Sequence, residues 1–235
     1  MDKYKYTYER TPNYCYPDSD VLINKLGIKA EDMLNQYERR LVAIRQAELI
    51  ENPIVGNLDF DHLKEIHRYL FQDLYYWAGE SRNCNIAKQD LFCLAQHIDS
   101  YAESIFSDLK KKQFYINENE DEIIVSLVNF FGDLNALHPF REGNGRSQRE
   151  FINMLARING ISISFINISA KEMIEASHRI NNGDDTIMKL LFKNNCEKLD
   201  RIEQLEYIES YLKDEDIKNI FKEMVNQNSM DITFI

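Results

Sequence analysis

The stretch His138-Pro139-Phe140-Arg141-Glu142-Gly143-Asn144-Gly145-Arg146-Ser147-Gln148-Arg149 gathers an imidazole, a carboxylate, two glycines around an asparagine, and spaced arginines. Downstream, Phe151, Met154, Leu155 and Ile158 recur at helical spacing and Asn159-Gly160 supplies a stop, so a helix is predicted to begin near Asn144. The glycine-rich turn then lies at a helix N-terminus. There, unpaired N–H groups and the positive end of the dipole favour an anion, and glycine lets a phosphate approach closely. Arg146 and Arg149 share one face of the first helical turns, spaced for two guanidinium groups to grip further phosphate oxygens. Glu142 is a hard oxygen ligand, placed for a Mg²⁺ ion that bridges phosphates. His138 changes protonation near neutral pH and suits removal of a proton from an attacking hydroxyl. Phe140, with Pro139, is expected to pack inward and fix the loop.

Each residue alone has a duller reading: the histidine as a capping cation, Asn-Gly as a plain turn, Arg-x-x-Arg as solvated charge. Together, on a loop that opens into a helix, they favour catalysis on a phosphate compound. Arg141 and Gln148 receive no role.

The element that must present His138 is the segment before it. Ile123, Ile124, Leu127, Val128, Phe131, Leu134 and Leu137 form a nearly continuous apolar face, the pattern of a helix buried on several sides. Gly132 inside it predicts close packing against another backbone. Upstream, residues 1 to about 20 read as an irregular tyrosine-rich arm, and Ser19 or Asp20 is expected to cap a short helix ending at Leu26-Gly27. A longer helix runs from about Ala30 to Ile50, and a third, starting at Asp59 or Asp61, carries His62 and His67. Those two histidines lack the i, i+4 spacing of a metal pair, and a structural or surface role is expected for them. Turn chemistry from Gly79 onward leads to a short hairpin around Ile86 and Phe92, and helical patterning resumes from Leu94 to Leu109. Ile161 and Ile163 alternate as a strand would, but with no partner strand evident an extended connector is expected before a helix over 170–180. Residues 186–225 read as two more helices, and Gln227 to Ile235 as a frayed end.

The expected fold class is all-α: residues 1–55 an arm and helices packed on the core, 56–195 the core, 196–235 a C-terminal helical extension. A hydrophobic content of 44% with 13 tyrosines and 13 phenylalanines is ample for a buried core. The net charge of -11 argues against general nucleic-acid or anionic-membrane binding, and no apolar run approaches the ~20 residues of a membrane helix. Cys15, Cys84, Cys93 and Cys196 are widely spaced and read as reduced thiols of a protein folded in the cytoplasm. The first residues, Met1-Asp2-Lys3-Tyr4-Lys5, lack the apolar core of a secretory signal.

Residues 138–149 match the Fic family signature H-x-F-x-[D/E]-G-N-G-R-x-x-R at every fixed position. The segment Leu63 to Phe92, with its Ile66-His67, Leu70-Phe71, Tyr76-Trp77-Ala78-Gly79-Glu80 and Arg82, also resembles that family's lead-in, so the similarity runs from about residue 60 to about residue 190. The resemblance implies a Fic-type helical bundle with a small β-hairpin flap beside the active site. It implies transfer of AMP from Mg²⁺-ATP to a tyrosine, threonine or serine hydroxyl of a target protein, with release of pyrophosphate. His138 would be the base, Glu142 the Mg²⁺ ligand, and Gly143, Asn144, Gly145, Arg146 and Arg149 the phosphate holders. The flap, here Ile86, Ala87, Lys88 and Gln89, would hold the target's backbone by strand addition.

Death-on-curing relatives, which phosphorylate, carry lysine at the second glycine; Gly145 resembles the adenylylating branch. Transfer of UMP, phosphocholine or phosphate, and a non-catalytic interaction module, remain alternatives at this stage. Many Fic proteins also carry an inhibitory [S/T]-x-x-x-E-[G/N] helix whose glutamate pairs with the second arginine. The Glu-Gly and Glu-Asn pairs here, Glu51-Asn52, Glu118-Asn119 and Glu142-Gly143, have Ala47, Phe114 and His138 at the serine/threonine position, so none fits. The implied restraint is a separate small antitoxin supplying that glutamate to Arg149. Export to a host cell through an added C-terminal signal domain, as in some similar proteins, stays open.

Overall fold

The computed structural model describes residues 7–8, 14–88 and 90–230. A two-residue strand β1 (Thr7–Tyr8) precedes helices α1 (Glu31–Glu51) and α2 (Phe60–Phe71), then strands β2 (Ile86–Lys88) and β3 (Asp90–Leu91). Helices α3 (Ile98–Lys111), α4 (Glu120–Leu137) and α5 (Asn144–Ile158) follow, then strand β4 (Ile161–Ile163), α6 (Ala170–Asn181) and α7 (Thr186–Asn194). Strand β5 (Cys196–Lys198), α8 (Arg201–Tyr211) and α9 (Glu215–Met230) complete the described chain.

The mostly helical architecture is built around α4 and α5. Asn119 caps α4 by accepting from the Asp121 and Glu122 N–H groups while the Glu122 carboxylate accepts from the Asn119 N–H. Three acidic residues in its first turn complement the helix dipole. Leu127, Val128, Leu134 and Leu137 are fully buried, as the apolar pattern required, because α3, α5, α6 and α7 surround this helix. On the other side of α5 lie α2 and α8. Phe106, Phe130 and Phe151 join α3, α4 and α5 through edge and tilted ring contacts of 5.5 to 6.0 Å. A buried α4 is thus a rigid rod with His138 at its end.

Several local expectations need correction. Residues 20–26 form no helix: Cys15 and Leu22 bridge as extended segments, and the Asn24 side chain bonds the backbone of Leu22 and Ile28. A run that short cannot repay helix nucleation, and an asparagine that satisfies the local backbone wins. The arm expected to be irregular contains β1, which pairs antiparallel with β2, Thr7 facing Ala87 and Tyr8 facing Ile86. Ile161–Ile163 is a strand after all; its antiparallel partner is Cys196–Lys198, whose polar composition gave no strand signal. The region after residue 186 holds three helices, because Leu212 leaves the helical path to bridge Gly56 and the Lys213 N–H donates to the Gly56 carbonyl. Gly132 does meet a close neighbour, but it is the Ile180 side chain on α6 rather than a backbone. The expected fraying begins later than Gln227, since α9 runs to Met230; residues 231–235 lie outside the described residues. Among the described residues no helix is long and apolar enough to cross a membrane.

Candidate active site

His138 sits at the C-cap of α4 in the left-handed region, φ 42° and ψ 59°, immediately before Pro139. For a non-glycine residue this conformation costs about 1–3 kcal/mol and persists only where surroundings enforce it. The enforcing contacts are visible. The His138 N–H still closes the helix onto the Leu134 carbonyl at 3.0 Å. Its ring stacks on Phe92, centroids 3.7 Å apart and nearly parallel. Nδ1 lies 3.2 Å from the Asn135 carbonyl, which only accepts, so Nδ1 carries the proton and Nε2 is the acceptor nitrogen. An imidazole in that tautomer can take a proton at Nε2. Phe92, expected only as part of a hairpin, supports the His138 ring.

The loop after His138 is held from inside. Phe140 is fully buried, as expected, and stacks on His67 at 3.8 Å. The Asn144 side chain is also buried and spends both ends of its amide on Phe140, accepting from its N–H at 2.8 Å and donating to its carbonyl at 2.7 Å. It therefore staples the loop, and its backbone N–H lies at the first turn of α5. Gln148, given no role from the sequence, donates to the Leu134 carbonyl and ties α5 to α4.

Gly143 caps α5 with φ 85°, and a Cβ there would collide with the Phe71 ring. Left-handed strain and overpacking act together, so Gly143→Ala is expected to lose about 2–4 kcal/mol of stability, read as a lowered midpoint of chemical denaturation. A midpoint unchanged in that variant would mean that the loop is looser than this geometry. Gly145 has a different reason: a Cβ on it would press against Arg149 Nη1 at 3.1 Å.

The two arginines are not equivalent. Arg146 donates to Glu38 on α1 at 2.6 Å and to Glu142 at 3.4 Å, and its guanidinium lies over the Phe71 ring at 4.6 Å. Glu38 in turn accepts a hydrogen bond from the Tyr75 hydroxyl. Arg149 has no carboxylate within ion-pair distance among the described residues, and burial together with the neighbouring Arg146 pulls its pKa down to about 10. An uncompensated cation behind a helix N-terminus favours an anion there. Glu38, buried on α1, was missed because nothing in the spacing of that weakly amphipathic helix marks it.

A cavity of about 460 Å³ opens over these groups. His138, Glu142, Gly143, Gly145, Arg146 and Arg149 line one side; α1 contributes Glu38 and Arg39, and α6 contributes Ser177, His178 and Asn181. The Glu142 carboxylate is partly exposed and accepts from its neighbour Gly143 N–H at 2.9 Å. The backbone of Glu142 is fixed by His67, fully buried, whose Nδ1 accepts from the Gly79 N–H while Nε2–H donates to the Glu142 carbonyl at 2.9 Å. His62 is likewise structural, with Leu58 N–H on Nδ1 and the Ile54 carbonyl on Nε2.

The flap is a hairpin of β2 and β3, with Lys88 facing Asp90. The docking residues expected from sequence, Ile86, Ala87 and Lys88, form β2. Strand β2 is the middle of a three-stranded sheet, so Ile86 and Ala87 already pair with β1 and are closed to strand addition, and the Ile86 side chain is buried. The hairpin's own open edge is β3, where Leu91 is exposed. Gln89 lies outside the described residues, as do the side chains of Lys88 and Asp90.

A helical scaffold thus sets an imidazole with Nε2 as its acceptor nitrogen beside the N-terminus of α5, with Arg149 behind that end. A family model for the Fic/DOC family matches residues 57–156. Protein adenylyltransferase VbhT of Bartonella schoenbuchensis is 39% identical over 183 residues, covering 77% of this chain and 38% of that protein. Probable protein adenylyltransferase Fic of Escherichia coli is 31% identical over 180 residues, covering 76% of this chain and 89% of that one. Among solved structures, BepC of Bartonella tribocorum with bound AMPPNP superposes with a TM-score of 0.74 at 25% identity, over 80% of this chain and 98% of that chain. The chain belongs to the Fic/DOC family.

Proposed function

We propose that the chain is a protein adenylyltransferase, moving AMP from ATP to a hydroxyl side chain of a target protein. The observation that carries this reading is an imidazole with Nδ1 committed to Asn135, set beside a helix N-terminus backed by Arg149. Support comes from relatives named as protein adenylyltransferases and from neighbours of similar fold holding AMPPNP or ADP.

In the reaction the target's hydroxyl oxygen bonds to the α-phosphorus, the bond from that phosphorus to the bridging β-oxygen breaks, and pyrophosphate leaves. His138 takes the hydroxyl proton at Nε2. The N–H groups at the start of α5 and the guanidinium of Arg149 hold phosphate oxygens whose charge grows in the transition state, the effect that dominates phosphoryl-type transfers. Arg146, already shared between Glu38 and Glu142, works more as a fixed electrostatic wall than as a mobile clamp.

Glu142 is the residue that would hold Mg²⁺. A single cavity-facing carboxylate fits an ion that draws its other oxygens from phosphates and water. Bound there, the ion would neutralise phosphate charge. The target's backbone would add to β3. A separate inhibitor fits Arg149, where a glutamate would occupy the place of a phosphate; this is the toxin–antitoxin form of the reading. Use of ATP sets the reaction in a cytoplasm, that of the producing cell or of a recipient.

The decisive experiment is incubation with Mg²⁺ and ATP labelled at either the α- or the γ-phosphate, followed by detection of labelled protein. Label from the α-position only is expected. Label from the γ-position would replace adenylylation by phosphorylation, and protein unlabelled from either position, across a lysate of candidate targets, would leave a binding module.

A further inference from the structure

One buried cation lies outside the signature and outside the mechanism above. Arg82, on the segment leading into β2, is 2% exposed. No carboxylate among the described residues pairs with it; its neighbours are cysteine and tyrosine side chains and main-chain carbonyls. A guanidinium buried without a counter-ion is expensive unless its N–H donors are met by well-placed acceptors.

Its acceptors come from three places. Nε donates to the His138 carbonyl at 2.9 Å, Nη1 to the Cys84 carbonyl at 2.6 Å, and Nη2 to the Cys93 carbonyl. The Arg82 backbone N–H donates to the Pro139 carbonyl at 2.8 Å. Cys84 lies on the chain entering the flap and Cys93 on the chain leaving it. Cys93 also donates its own N–H to the Ala136 carbonyl in the last turn of α4, at 2.9 Å.

These bonds meet where the backbone is strained. His138 adopts φ 42° directly before a proline, a combination disfavoured by the left-handed cost and by the proline ring. Arg82 bonds the His138 carbonyl through its side chain and the Pro139 carbonyl through its N–H, while Phe92, next to Cys93, stacks on the imidazole. The planar fork of arginine fits this set of diverging carbonyls; lysine, with one nitrogen, cannot span them.

We propose that Arg82 is a positioning residue that makes the flap and the base a single mechanical unit. Both legs of the flap and the peptide carrying His138 hang on one guanidinium, so the hairpin cannot shift without moving the imidazole. On the adenylyltransfer reading, on which this consequence rests, a target strand that docks on β3 acts on the His138 peptide through Cys93 and Arg82. Docking and base alignment then become one event. Arg82 does not line the cavity over His138.

Backbone hydrogen exchange of the whole chain tests the coupling without any need for activity. The comparison is wild type against Arg82→Lys and Arg82→Met, following peptides that cover 84–93 and 136–140. Both segments are expected to exchange faster together, by about tenfold or more, while α3, α5 and α8 keep their protection. Lysine should rescue little, because charge alone does not reproduce the fork. Acceleration in only one segment, or in neither, overturns the proposal. So does equal loss of protection throughout the molecule, which would make Arg82 a general prop of the fold.

A second readout uses transfer of α-label from ATP. The Arg82→Met protein should lose about 10²-fold in kcat with the KM for ATP held within about threefold, since misplacing a reacting group spares ground-state binding. A rise in KM for ATP at unchanged kcat counts against it. Absence of α-label transfer in wild type would sink the adenylyltransfer reading and leave the exchange result to decide the coupling.

Discussion

In the His138→Ala protein, transfer of α-label from ATP is expected to fall by about 10²–10⁴-fold, the range that a positioned general base contributes. Binding of ATP should stay within about twofold, because the groups proposed to hold phosphate and Mg²⁺, on α5 and at Glu142, are other residues. The size of the kinetic effect follows from how much structure is spent on one ring. The Asn135 carbonyl selects the tautomer at 3.2 Å, Phe92 fixes the ring plane, and a strained backbone is tolerated to aim it. His178 on α6 lines the same cavity and is the natural control. Its removal should cost far less than removal of His138, since it belongs to the wall that α6 presents and not to the loop at the head of α5. Initial rates with labelled ATP, alongside direct binding of a non-hydrolysable analogue, separate the two quantities. Retention of wild-type rate in His138→Ala would mean that another group, Glu142 or solvent, takes the proton.

Much of this site is legible in the sequence because its parts are local. A helix start fixed by glycines, an apolar run downstream and a buried run upstream place His138, Glu142 and the head of α5 with no tertiary information. What escapes is whatever depends on distant partners. Glu38 reaches Arg146 across 108 positions, and no pattern within α1 distinguishes it from its exposed neighbours. The side chain of Asn144 reads as a phosphate contact until Phe140 is seen to occupy both ends of its amide, and only the backbone N–H is left for that role. The flap reads correctly as a hairpin, yet which leg is free depends on β1, contributed by Thr7 and Tyr8, far upstream. Strand β4 was misjudged for the same reason: β5, its partner, is Cys-Glu-Lys, and only pairing makes such a segment a strand. Helices carry their own periodicity, whereas short strands and buried ion pairs are defined by what lies across from them.

His67 yields a prediction of a different kind, a stability that falls with acid through one identified group. Its ring is completely enclosed between Phe140 and Phe71, with Gly79 N–H on Nδ1 and the Glu142 carbonyl on Nε2. Burial, reinforced by the nearby charges of Arg146 and Arg68, holds its pKa at about 3, against an ordinary 6.5. The unfolded chain therefore binds a proton below pH 6.5 that the folded chain refuses. Stability present above pH 6.5 drains away as pH falls, at up to about 1.4 kcal/mol per pH unit, until the folded group itself titrates near pH 3. By pH 5 the loss through this residue should reach about 2 kcal/mol. A His67→Gln protein keeps a donor for the Glu142 carbonyl but has nothing to titrate. It should be the less stable protein at pH 7, through the lost ring stack, and should close the gap by about 2 kcal/mol at pH 5. Taking the difference between the two proteins cancels His62 and the carboxylates, which titrate in both. Denaturant midpoints at pH 5, 6 and 7 give the measurement, and a gap that does not change with pH would show that His67 is not held neutral. Protonation would occupy Nδ1 and expel the Gly79 N–H while leaving Nε2–H on the Glu142 carbonyl, so the imidazole that steadies the loop would lose its own anchor on the α2 side.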